Sequence, residues 1–205
     1  MATRRQPTAA TAAVQVFRDR GGMLRMAEAV KAGIHRRTLY ALRDAGVVER
    51  MSRGLYRLSQ SPPLQNPDLV TVARRVPRGV VCLVSALSFH DLTTQVPHEV
   101  YLAVSRHAEP PRIDYPPVRV FRFGGRAFGE GVETHDLDGV PVRVYSREKT
   151  LADCFKYRSA VGLDTAIEAL RRYREQGRVN AEAIRIAASA CRVANVMRPY
   201  LEAIL

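Results

Sequence analysis

The chain has 205 residues, 46% of them hydrophobic, and a formal charge of +12, enough for one large or two small domains with a real core. Its three cysteines, Cys82, Cys154 and Cys191, lie far apart with no C-x-x-C pair, which excludes a disulfide framework and points to buried free thiols in a reducing compartment. No stretch reaches the roughly 18 apolar residues of a membrane span, and Met1–Ala13 lacks the apolar centre of a secretory signal, so a cytoplasmic protein with no membrane partner is expected.

Residues 1–10 are expected to be disordered. From Thr11 onward Val14, Phe17 and several alanines recur at helical spacing until Gly21-Gly22 stops the pattern. A second helix fits Met26–Ala32 with Gly33 as its left-handed stop, and a third fits His35–Asp44 with Gly46 beyond it. In that third helix Leu39 and Leu42 face inward, while Arg36, Arg37, Tyr40 and Arg43 fall mostly on the other side. Val47–Arg50 and Leu55–Leu58 then read as two short strands around a glycine-containing turn. Helix, turn, helix and hairpin in this order predict a winged helix-turn-helix over 11–58.

Charge supports a polyanion partner for that segment. Residues 1–60 hold 12 Arg and Lys against 4 Asp and Glu, and residues 61–205 hold 20 against 16. Two-thirds of the excess thus sits in less than a third of the chain. A helix N-terminus offers unpaired N–H groups and a partial positive charge to a phosphate, and arginines in its first turn can reach phosphates or guanine edges in the major groove. The candidate DNA-binding residues are His35, Arg36, Arg37, Thr38, Tyr40 and Arg43 on the helix, with Arg50 and Arg53 on the wing. Plainer readings stand beside three of them: His35 as a cap, Thr38 bonded within its own turn, and Tyr40 packed on the wing.

The stretch SQSPPLQNP at 59–67 predicts a linker, and 68–205 a second domain. There Asp68–Arg75 reads as helix, Gly79–Val84 as a short β segment, and Ser85–Asp91 as a short helix capped by Ser85. Glu99–Ser105, Val118–Phe123 and Val140–Tyr145 alternate as strands, and Asp138-Gly139 marks a tight turn after Glu133–Leu137. Helices follow at Ser146–Arg158, Leu163–Gln176, Asn180–Ala190 and Val193–Leu205, where Pro199 is a potential break. The fold class expected is α+β: the winged helix-turn-helix plus a mixed α/β domain with a small, mainly antiparallel sheet and trailing helices.

The run AGIHRRTLYALRDAGVVERMSRGLYRL resembles the N-terminal winged helix of AbiEi-type antitoxins of the abortive-infection, type IV toxin–antitoxin systems. The resemblance continues through NPDLVTVARRVPRGVVCLVSALSFHDLTTQVPHEVYLAV and VYSREKTLADCFKYRSAVGLDTAIEALRRY, and so covers roughly residues 12–175. It implies repression of the chain's own operon at inverted repeats in the promoter, with self-association on the DNA as an option. It also implies that the C-terminal domain neutralises a toxin of the nucleotidyltransferase fold. His35, Arg36, Arg37, Thr38, Tyr40 and Arg53 stand where the family's basic helix and wing stand; the family usually carries a small hydroxyl residue at the place of His35.

Catalytic patterns are weak. There is no phosphate-binding G-x-x-x-x-G-K-[ST] and no G-x-S-x-G. His90-Asp91 lacks a second ligand pair, and Asp136 with Asp138 has the spacing of paired metal-holding carboxylates but abuts a hairpin tip. No cofactor, metal or catalytic residue is expected. Ser146, Glu148, Lys149, Thr150 and Asp153 form the densest polar cluster of the second domain; on the ordinary reading Ser146 caps the helix, Glu148 sits in its first turn, and Lys149 with Asp153 is an i, i+4 pair. On the functional reading, Lys149 and Thr150 contact the toxin or a phosphate-bearing ligand, and Asp153 belongs with them to the toxin-neutralising set. Arg171, Arg172 and Arg174 read either as a solvated helix face or as part of a toxin-binding surface. Two alternatives to the antitoxin reading are an enzyme reversing the toxin's modification and a ligand-sensing transcription factor.

Overall fold

The structure is a computed structural model that describes residues 8–177 and 179–205. The expected disorder of residues 1–10 therefore lies, for 1–7, outside the described residues. Its upper limit is corrected: helix α1 spans Ala9–Asp19, and the Thr8 hydroxyl accepts the Thr11 N–H at 3.2 Å as its cap.

The N-terminal unit continues with β1 (Met23–Arg25), α2 (Met26–Lys31), α3 (Arg36–Asp44), β2 (Val48–Ser52) and β3 (Leu55–Leu58). Its sheet is antiparallel in the order β1-β3-β2. Strand β1 was not foreseen, because three residues behind a Gly-Gly pair show no alternation; it exists only through its pairing with β3, Met23 opposite Arg57 and Arg25 opposite Leu55. Phe17, Leu39, Leu42, Val48 and Tyr56 close a core between the helices and one face of this sheet.

The second unit begins at α4 (Pro67–Arg75), followed by β4 (Val80–Val81), α5 (Leu83–Phe89), β5 (Val100–Ser105), β6 (Val118–Phe123), α6 (Arg126–Gly129), β7 (Val132–Leu137) and β8 (Val140–Tyr145). Five strands lie in the order β6-β5-β4-β8-β7. The β4–β5 and β7–β8 pairs are antiparallel, whereas β5–β6 and β4–β8 run parallel. Ser85 does not cap a helix. Helix α5 starts at Leu83, and the buried Ser85 hydroxyl instead accepts the Tyr101 N–H at 2.9 Å, tying α5 to β5. Asp138 at φ 54° and Gly139 at φ 76° form the β7–β8 turn as expected.

Helices α7 (Arg147–Lys156), α8 (Arg158–Val161), α9 (Leu163–Glu175), α10 (Ala181–Cys191) and α11 (Ala194–Ile204) complete the chain. Helix α11 continues across Pro199. Ser146 caps α7 by accepting the Lys149 N–H at 3.2 Å, and Asn180 caps α10 through the Ala183 N–H at 3.0 Å. Helix α7 is the axis of this unit: Lys149 to Phe155 are all buried, with α5, α9 and α10 packed around them.

The two units share an interface. Met23 of β1 and Leu55 of β3 sit in one apolar cluster with Val70 of α4, Val81 of β4 and Val140, Val142 and Val144 of β8. Arg74 of α4 reaches back to Glu28 of α2 at 2.6 Å and to the Met23 carbonyl at 3.2 Å. Pro62, in the expected linker 59–67, accepts from the Arg57 guanidinium, and Ser59 N–H donates to the Val47 carbonyl at 3.1 Å. That segment is therefore bound along the winged domain rather than a free tether.

His90, at the C-terminal end of α5, is half-buried with Nε2 2.7 Å from the Tyr145 carbonyl. Burial pushes its imidazole below the ordinary 6.5, partly offset by that hydrogen bond. The neutral ring is then the folded form, while the unfolded chain takes up a proton as the pH falls through 6.5. The melting temperature should fall between about pH 7 and pH 5, and His90→Gln should flatten that slope in calorimetry.

Candidate nucleic-acid interface

Helix α3 owes its exposed basic face to its register. Leu39 and Leu42 are buried, which turns Arg36, Arg37, Tyr40 and Arg43 outward. Neither Arg36 nor Arg37 has a carboxylate partner among the described residues. His35 is the N-cap: its Nδ1 accepts the Arg37 N–H at 3.2 Å, so in the neutral ring the proton sits on Nε2. The imidazole thus performs the capping task a small hydroxyl would perform. Thr38 is half-buried, and Tyr40 is 41% exposed, its ring lying 5.1 Å beneath the Arg43 guanidinium.

Several of the arginines counted in the sequence are already neutralised. Arg43 binds Asp44 at 2.8 and 2.6 Å, Arg25 binds Glu28 at 3.1 and 3.0 Å, and Arg57 meets Glu49 at 3.3 Å. Arg18, Arg20, Lys31, Arg36, Arg37 and Arg53 are exposed without such a partner among the described residues. The free charge of the winged domain is therefore narrower than its composition and includes both arginines of the α3 start.

The wing is held by the other unit. Asp114, in the segment between β5 and β6, accepts from Arg50 Nη2 at 2.9 Å, from the Ser52 hydroxyl at 2.7 Å and from the Arg53 N–H at 2.9 Å. These bonds, the Arg53 N–H first, hold its carboxyl far below the usual carboxylate range. Arg50 was expected to grip DNA; it is instead paired with a carboxylate, while the Arg53 side chain stays exposed at the tip. The sequence carried no signal for Asp114, which is separated from Arg53 by 61 positions.

The expected toxin-contact cluster is a correction. Lys149, Thr150 and Asp153 are fully buried, so none of them can touch a partner. The Lys149 ammonium donates to both Asp153 oxygens at 2.6 Å and lies 4.0 Å from the Tyr145 ring centre and 4.9 Å from that of Phe123. Cys191 Sγ is 3.2 Å from Asp153, and Thr150 donates to the Tyr145 carbonyl at 3.3 Å. Burial pushes the Asp153 carboxyl up, opposed by Lys149. Polarity suggested a surface, but an i, i+4 ion pair under two aromatic faces can be enclosed. Arg171 and Arg174 are exposed on α9, and Arg172 pairs with Glu168 at 3.0 Å.

The remaining catalytic suspects hold structure. Asp136 accepts the Gly139 N–H at 2.9 Å within its own turn, and Asp138 accepts the Gln65 N–H at 3.1 Å. Cys82, Cys154 and Cys191 are buried free thiols, and burial raises each of them, Cys191 to about 12. Among the described residues, no group of three or more His, Cys, Asp or Glu is placed to hold a metal ion, and no helix is long and apolar enough to cross a membrane.

No curated protein matches the chain. Its fold is similar to the crystal structure of the RV2827C protein from Mycobacterium tuberculosis, with a TM-score of 0.61 at 16% identity, covering 92% of this chain and 73% of that one. Residues 12–59 match a family described as "Transcriptional regulator, AbiEi antitoxin". Those residues hold most of α1, both wing strands and the helix pair that includes α3 with its exposed basic face. Over residues 12–59, then, the chain is similar to the AbiEi antitoxin family of transcriptional regulators, a match confined to the N-terminal unit.

Proposed function

We propose that the chain is an antitoxin and autorepressor, with α3 entering the major groove of its own promoter and the C-terminal unit opposing a co-expressed nucleotidyltransferase-fold toxin in the cytoplasm. The observation that carries the DNA half is the pair Arg36 and Arg37, exposed without a carboxylate partner among the described residues at the start of α3, with the Arg53 side chain likewise exposed and unpaired on the wing. Guanidinium groups there can take phosphates or guanine edges while the helix N-terminus takes a further phosphate. Inverted repeats would be met by two copies of the chain. The chain works by binding, with no cofactor and no catalytic step of its own. Lys149 and Asp153, the polar pair an enzymatic reading needs, are sealed in the core.

The toxin half rests on the family match, and its contact residues are to be sought among exposed groups such as Arg171 and Arg174. The test is fluorescence anisotropy of the full chain on its promoter fragment and on scrambled DNA, titrated with salt. Tighter binding to the promoter, with a log–log salt slope of several units, supports the reading. Equal affinity for both fragments would overturn it.

The Asp114 clamp makes a separate prediction. Asp114→Asn keeps acceptors for Ser52 and Arg53 but releases the charge of Arg50. DNA affinity at low salt should rise several-fold, and the salt slope should steepen by about one unit, as each freed cation displaces one more counterion.

A further inference from the structure

A basic cavity of about 590 Å³ opens in the C-terminal unit, and none of its lining residues belongs to the winged domain. It is lined by Arg106, His107, Arg122, Arg126, Lys156 and Arg192, and no Asp or Glu is among its lining residues. Besides Arg126, which starts α6, the cations come from four separate places. Arg106 follows the end of β5, Arg122 lies near the end of β6, Lys156 ends α7 and Arg192 follows α10. Strands β5 and β6 are parallel, so the cavity lies outside two carboxyl ends, where open sheets commonly seat ligands.

The charges are mostly unanswered. Arg126 meets Glu130 at 3.3 Å, but Arg106, Lys156 and Arg192 have no carboxylate partner among the described residues. Lys156 and Arg192 gain from the negative ends of their helices. Arg106 and Arg122 have no such neighbour. Arg122 is instead fixed by donating Nη1 to the Arg106 and Ala108 carbonyls, both at 2.9 Å, which keeps its charge while locking its direction. The Arg106 side chain lies along Gly124, whose added Cβ would stand 3.7 Å from its Nε. Ser105 and Ser189 share the lining, and Tyr157, half-buried and also in the lining, packs on Phe121 and Phe123.

Converging like charges repel one another and are relieved by a multivalent anion. Guanidinium forks match phosphate oxygens, and the volume suits a small ligand. We propose that this cavity binds the di- or triphosphate group of a small molecule, either a nucleotide or a free polyphosphate.

The test titrates tripolyphosphate, ATP and AMP by calorimetry into the full chain carrying Arg36→Ala and Arg37→Ala, so that α3 does not contribute. Saturable 1:1 binding of tripolyphosphate or ATP is expected, with AMP at least tenfold weaker. Arg106→Gln with Arg192→Gln should cost at least tenfold at an unchanged melting temperature. Should that pair unfold the chain, Lys156→Gln, on the exposed last turn of α7, serves for the same comparison. ATP binding more tightly than tripolyphosphate identifies a nucleotide site; equal affinities identify a polyphosphate site. Absence of saturable binding, indifference to the cavity substitutions, or displacement of the ligand by a single-stranded oligonucleotide of far higher affinity would overturn the proposal.

Discussion

Asp153→Ala should destabilise the chain by about 3–5 kcal/mol, because it strands the fully buried Lys149 ammonium without another carboxylate partner among the described residues. For a chain of this size that loss lowers the melting temperature by roughly 6–20 °C. Lys149→Met should cost a similar amount, since it leaves the Asp153 carboxylate facing Cys191 alone. The double change Lys149→Met with Asp153→Leu removes both charges and should recover much of the loss. Additive single losses would mean the pair is not coupled. Gly131 makes the site stricter. Its φ is +63°, and an added Cβ would lie 2.6 Å from the Lys149 Cβ, so the β7 entry is fitted to the lysine stem.

Arg36→Ala combined with Arg37→Ala should lower operator affinity about 100-fold, on the scale of two guanidinium contacts at about 1–3 kcal/mol each. The salt slope should fall by about two units, because two phosphate-neutralising cations are gone. Both side chains are exposed and α3 is held by Leu39 and Leu42, so the melting temperature should not move. Toxin rescue in cells should survive, since neither residue belongs to the C-terminal unit. Loss of rescue together with DNA binding would refute that division of labour. An intact retardation at physiological salt would place the DNA surface elsewhere.

Arg50 and Arg53, three positions apart on the wing hairpin, have separate fates. Asp114 neutralises the first and leaves the side chain of the second outside, so the wing is a shared element of both units. A wing clamped in this way couples DNA contact to the segment between β5 and β6, and the Asp114→Asn titration measures that coupling directly.

The α3 register, the Val118–Phe123 and Val140–Tyr145 strands and the turn at Asp138-Gly139 were legible from the residues alone. Each is specified by neighbours within a few positions: apolar period, alternation, or a pair able to take positive φ. So was the basic start of α3, since exposure there follows from which leucines must be buried. Tertiary structure decided whatever depends on a distant partner. Strand β1 needed β3, and Ser85 became an acceptor for β5 rather than a cap. Asp114 cancelled Arg50, and the polar cluster at Lys149 and Asp153 went inside because three helices and two aromatic rings close over it. The physical reason is common to all four: a charge or polar atom shows its type in the sequence, but its solvent exposure and its counter-charge are set by groups brought close only when the chain has folded.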